Sequence, residues 1–154
     1  MKKTILSLFL LAATCISYAD NNEARWLRDV RISPDGTKVA FCYKGDIYTV
    51  GIAGGGATRL TTQPSYEANP VWSPDGRQIA FSSDRHGNAD VFVMPADGGR
   101  ALRLTYNSSA ETPTAFTPDG KSVLFNASIQ KQAESMLFCH RSMTEVYTVS
   151  VAGG

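Results

Sequence analysis

The sequence predicts an all-β chain: an incomplete β-propeller of three four-stranded antiparallel blades, the third lacking its last strand, behind an N-terminal signal helix. Three observations carry this expectation. A Ser/Thr-Pro-Asp-Gly string occurs three times, at 33–36, 73–76 and 117–120, and its prolines recur at intervals of 40 and 44 residues. Each string is flanked by the same short β-type runs in the same order. A glycine pair and, in the first two repeats, an Arg-Leu-Thr closure follow at constant spacing. Four short antiparallel strands per ~40 residues describe a propeller blade. A linear β-solenoid usually repeats at shorter periods, and no Trp-Asp dipeptide ends any repeat, which sets the WD type aside.

The first element is a signal peptide, residues 1–19. Met1-Lys2-Lys3 supplies a positive start, residues 4–16 are almost wholly apolar, and Ser17 and Ala19 place small residues three and one before a cut. The apolar run is short of the ~20 residues needed to span a bilayer, so no membrane contact is expected after cleavage. Lipidation at Cys15 is the alternative, and Thr14 before it is a poor fit to the small residue such processing prefers. Loss of Lys2 and Lys3 moves the balance from 15 basic against 14 acidic residues to 13 against 14. Near-neutrality excludes the basic footprint of a nucleic-acid binder. A hydrophobic content of 43% with 19% charged residues excludes disorder.

Residues 20–154 are then read as the propeller segment, with blades at about 29–62, 69–106 and 113–154. Each Ser/Thr-Pro-Asp-Gly string suits a type I turn, with Pro at the second corner and Gly at the fourth. Seven residues beyond each proline stands a phenylalanine: Phe41, Phe81 and Phe125. An acidic-apolar-aromatic triplet follows: Asp46-Ile47-Tyr48, Asp90-Val91-Phe92 and Glu145-Val146-Tyr147. A glycine pair comes next, at 54–55, 98–99 and 153–154. Repeats one and two close with Arg59-Leu60-Thr61 and Arg103-Leu104-Thr105, predicting last strands over 57–61 and 101–105. The third repeat stops at its glycine pair. Closed propellers need about 4–8 blades, so a longer parent chain is expected.

Length varies in one connection. From phenylalanine to acidic residue the spacing is 5, 9 and 20 residues in the three repeats. In a four-stranded meander this hairpin shares one end of the propeller with the connection between blades, and the proline and glycine turns share the other. The varied end is the candidate binding face.

Candidate chemistry is sparse. The two histidines, His86 and His140, lie in loops, and no Gly-x-Ser-x-Gly elbow accompanies them, so no catalytic residue is assigned. Two histidines and the distant Cys42 and Cys139 match no zinc spacing. Asp84, Asn88 and Asp90 lack the alternating calcium-loop pattern and read as turn residues. No metal or cofactor is expected. Cys42 and Cys139 read as buried, unpaired thiols. Trp72 aligns with Ile32 and Phe116 before the proline turns, as packing between blades. Residues 127–144 of blade 3 read as a lengthened hairpin, with a lid or docking strand as the functional alternative. Glu67 and Glu111 each stand seven residues before a turn proline, at the mouth of an innermost strand on the varied face. Two readings apply. They form part of an acidic ring that attracts basic peptide, or each accepts hydrogen bonds within its own inter-blade loop.

The ordered set Gly45–Tyr48, 66–76 (YEANPVWSPDG) and 81–92 (FSSDRHGNADVF) resembles the repeats of the TolB-like propeller superfamily. Within it, the Arg-Leu-Thr closures with Tyr106, and Met94-Pro95, are similar to the N-terminal propeller of secreted tricorn-like serine proteases. The resemblance implies a PDZ-type module and a tail-specific catalytic domain further along the parent chain, as partners of the remaining blades. It implies a propeller that admits or positions peptide or protein substrates in an exported, periplasmic or secreted, bacterial protein. The rival expectation is a TolB-like periplasmic propeller that works by protein–protein contact without protease activity. A weaker one is the propeller cap of an exported prolyl-oligopeptidase-like enzyme.

Overall fold

Each Ser/Thr-Pro-Asp-Gly string folds into the same turn. The Gly36, Gly76 and Gly120 N–H groups donate to the carbonyls of Ser33, Ser73 and Thr117 at 2.9, 2.9 and 2.8 Å. These glycines have φ of 71°, 69° and 69°, where any other residue is strained. The Ser33 hydroxyl donates to Asp35 Oδ1 at 2.6 Å and accepts the Lys38 N–H at 2.9 Å, and Ser73 and Thr117 repeat both bonds. The Ser33 hydroxyl most of all, then the Thr37 N–H and hydroxyl, hold the Asp35 carboxyl down at about 2. Asp75 and Asp119 are lowered by the equivalent Ser73 and Thr117 hydroxyls.

The computed structural model describes residues 26–128 and 144–153. The signal segment, Cys15, Cys139, His140 and most of the third-blade insertion lie outside the described residues. Three antiparallel sheets follow one another along the chain. The first is β1 (Arg28–Ile32), β2 (Lys38–Tyr43), β3 (Asp46–Gly51) and β4 (Thr58–Arg59). The second is β5 (Glu67–Trp72), β6 (Gln78–Ser83), β7 (Asp90–Pro95) and β8 (Leu102–Arg103). The third holds β9 (Glu111–Phe116), β10 (Ser122–Ala127) and β11 (Glu145–Ser150). All strands pair in sequence order, as in an incomplete propeller.

The register follows the repeated motif. Phe41 faces Tyr48, Phe81 faces Phe92 and Phe125 faces Tyr147. Each pair stacks with ring centroids 5.7 Å apart. Cross-strand aromatic pairs add to sheet stability beyond the area they bury. Between blades, β5 packs on β1, β2 and β3, and β9 packs on β5, β6 and β7. The fully buried Phe81, Ile79, Val91 and Val123 fill these junctions. Trp72 is 8% exposed, and its Nε1 donates to the Arg31 carbonyl at 3.2 Å across the first junction.

Three details depart from the expectation. Ile32 is 60% exposed, unlike its equivalents Trp72 and Phe116, which lie in inter-blade junctions. The last strands are two residues long, not five. Leu60 and Leu104 N–H groups still donate to Ile47 and Val91 carbonyls at 2.8 Å, but the next rungs are made by side chains. The Thr61 and Thr105 hydroxyls accept the Ile47 and Val91 N–H groups at 2.9 and 2.8 Å, ending the backbone ladder. Finally, each innermost strand contains a bulge. In β1 and β5 it contains Asp29 and Asn69, at φ 53° and 54°. Asp and Asn are among the few residues that tolerate the left-handed region. Cys42 is buried and free, and burial, then the Asp29 charge, pushes its thiol up to about 12.

Candidate functional site

One end of the blades is braced by bonds between loops. Glu67 and Glu111 N–H groups donate to the Gly45 and Ala89 carbonyls at 2.7 Å, tying each innermost strand to the hairpin of the preceding blade. Tyr66 N–H donates to Asp84 Oδ1 at 2.8 Å. The Asn88 amide donates to the Asn107 and Ser109 carbonyls at 2.7 and 3.0 Å. These bonds put the hairpins of variable length and the inter-blade loops at the same end. At the other end, the Ile52, Ala96 and Val151 N–H groups join the glycine turns to the proline turns.

The varied end presents aromatic rings covered by cations. Arg28 lies 5.5 Å from the Tyr66 ring centre, Lys44 5.3 Å from Tyr43 and Arg103 4.5 Å from Tyr106. Tyr66 and Tyr106 are 43% and 63% exposed. A charged group on a ring keeps the exposed aromatic in one orientation, which suits contact with a partner.

The two glutamates occupy equivalent buried places. Glu67 is 0% exposed and Glu111 1%. Glu67 Oε1 accepts hydrogen bonds from the Ser65 hydroxyl, the Ser83 hydroxyl at 3.0 Å and Arg85 Nη2 at 3.0 Å. Burial raises the Glu111 carboxyl above its ordinary range, the Thr105 hydroxyl opposes this, and the Asp90 charge adds to it. Each glutamate sits beside an acid–arginine pair, Glu67 beside Arg59–Asp46 at 2.6 Å and Glu111 beside Arg103–Asp90 at 2.7 Å. The Arg103–Asp90 contact is a close ion pair off the hydrogen-bonding direction, so the Asp90 oxygens accept no aligned hydrogen bond. Breaking such a buried pair from one side would leave an uncompensated charge. The pairing is not part of the sequence expectation, although its signal is present: each arginine stands 13 residues after its aspartate.

The remaining candidates separate. Asp84, Asn88 and Asp90 serve three different bonds, to Tyr66, to the 107–109 loop and to Arg103. Among the described residues no three His, Cys, Asp or Glu side chains gather as metal ligands. His86 stacks on Phe92, with centroids 6.0 Å apart.

Residues 24–154 match the tricorn protease N-terminal β-propeller domain. The chain belongs to that family. Among solved structures, a protein designated TolB from Agrobacterium tumefaciens is 28% identical with a TM-score of 0.65, over 84% of this chain and 46% of that one. The tricorn protease superposes with a TM-score of 0.55 at 17% identity, over 66% of this chain and 11% of that one, and so speaks to the fold alone. The peptidase YuxL of Bacillus subtilis is 35% identical over 71 residues, 40% of this chain and 11% of that peptidase. The chain therefore spans less than half the length of these relatives.

Proposed function

We propose that this chain is the front of a non-catalytic propeller module that admits or positions peptide substrates for an exported tricorn-like serine protease. The catalytic part would lie beyond residue 154. The observation that supports it most is the pairing of the family match over 24–154 with a single end that is both braced and variable in loop length. Rigid scaffolds with variable loops commonly carry recognition. Tyr66 and Tyr106 are the residues assigned to peptide contact. Glu67 and Glu111 belong to this face as buried anchors of its loops.

The test uses the parent chain. Tyr66→Ala with Tyr106→Ala should raise KM several-fold for long peptides and leave kcat on a short chromogenic peptide unchanged. Equal effects on both substrates, or none, would overturn the assignment. Export is checked by sequencing the mature N-terminus, expected at Asp20. A second reading, a protein–protein propeller without protease, is favoured by the 28% identity to the designated TolB. It predicts that the reading frame ends a few blades after Gly154, with no PDZ-type or catalytic segment.

A further inference from the structure

The outer rim between the first and second blades holds a crevice of about 180 Å³. Thr62, Gln63, Arg85 and Arg100 line it, with Leu60 and Met94 as apolar wall. Thr62, Gln63 and Arg100 are open to solvent. Arg100 meets no acid, and the Thr62 hydroxyl and Gln63 amide make no hydrogen bond, among the described residues.

Arg85 is the fixed member. Its Nε donates to Ser83 Oγ at 2.9 Å and its Nη2 to Glu67 Oε1 at 3.0 Å. The guanidinium carbon stands 4.5 Å from the Phe92 ring centre. Nη1 has no partner among the described residues. An arginine held in this way has already lost most of its rotamer freedom, so a ligand need not order it.

Charge decides the ligand class. Glu67 neutralises Arg85, and Asp46 neutralises the nearby Arg59. Arg100 is left as one uncompensated positive charge on the crevice. A monoanion balances it, whereas a phosphate dianion would leave an excess negative charge beside Glu67. The volume is below the ~300 Å³ typical of small-molecule sites, and suits one side chain or chain end.

We propose that this rim crevice holds one carboxylate of a bound peptide, from an acidic side chain or a free C-terminus. Arg100 pairs with the charge, and Arg85 Nη1 and the Gln63 amide donate hydrogen bonds beside it. The proposal deepens the substrate-handling reading by giving the peptide a charge and a place outside the central channel, and it rests on that reading for the peptide as ligand.

The experiment is fluorescence anisotropy on the full-length protein with three labelled alanine-based tetrapeptides. One carries an internal Glu and an amidated end, one a free C-terminus and no acidic side chain, and one Gln with an amidated end. At low salt, at least one anionic peptide should bind about tenfold tighter than the neutral one, the scale of one partly exposed charge-assisted contact. A preference for the first assigns a side-chain carboxylate, and for the second a chain end. Arg100→Gln should abolish the preference, and Gln63→Ala should reduce it. Arg100 is exposed, so its replacement leaves the fold intact. Equal binding of all three peptides, or a preference that survives Arg100→Gln, would overturn the crevice. The substrate-handling reading is judged separately, by the tyrosine variants.

Discussion

Thr105→Val removes a single acceptor from the second blade while keeping the side chain's shape. The Thr105 hydroxyl accepts the Val91 N–H at 2.8 Å, and Thr105 is 7% exposed, so water cannot replace it. The backbone carbonyl that would continue the ladder is absent, because β8 ends at Arg103. A stranded buried donor costs about 1–3 kcal/mol. Glu111 loses the Thr105 hydroxyl as well, which places the expected loss in the upper half of that range. At about 2 kcal/mol the Val91 amide should exchange roughly 30-fold faster if it opens with its blade. Thr105→Ser keeps the hydroxyl and loses only a methyl group, about 0.8 kcal/mol. Thr114→Val is the surface control: its hydroxyl donates to the Leu124 carbonyl at 3.1 Å from an exposed site, and the change should stay within about 0.5 kcal/mol. The assay is hydrogen exchange at Val91 with urea midpoints of the full-length protein. If Thr105→Val is no worse than Thr105→Ser, the hydroxyl is not the missing rung.

Trp72→Phe removes the Nε1 bond to Arg31 while keeping an aromatic ring, and should lower stability by about 1 kcal/mol, read as a shifted urea midpoint with unchanged slope. Glu111→Gln should stabilise the protein at neutral pH. The folded-state pKa of Glu111 is raised, so the native state binds the extra proton and wild-type stability falls as pH rises through that window. The variant's advantage should therefore shrink on acidification, and an advantage that grows toward low pH would contradict the sign. Asp35, Asp75 and Asp119 titrate in the opposite sense. Their pKa values are lowered, so their contribution is present above the ordinary carboxylate range and is lost as pH falls toward about 2, the value for Asp35. Replacing all three with Asn should flatten the acid limb of the stability curve, measured by thermal melts across pH.

The parts of the fold that depend on neighbours in the chain were legible. The repeat placed Phe41, Phe81 and Phe125 in one strand and Tyr48, Phe92 and Tyr147 in the next, because β-type runs alternate with turn signals; that each pair stands face to face was decided by the strand register. The varied end was legible from loop lengths alone. The short β4 and β8 were not, because a threonine hydroxyl standing in for a carbonyl leaves an Arg-Leu-Thr string looking like continuous strand. Nor were the bulges at Asp29 and Asn69, although both residue types accept a positive φ.

Glu67 shows where local reasoning stops. Its place at the mouth of an innermost strand was readable, but an acid there can face a channel or turn inward. Arg85, 18 residues away, and Ser83 turn it inward. The crevice beside it is a further step removed, since its walls come from the end of one blade and the outer strands of the next. By itself the sequence determined the turns, the pairing order and the varied end, because each follows from residues a few positions apart. Only the tertiary structure decided which charges are buried and neutralised and which, like Arg100, remain available. The partners that neutralise Asp46, Glu67 and Asp90 stand 13 to 18 residues away and reach them only once the strands are paired, so strand periodicity alone does not reveal the pairing.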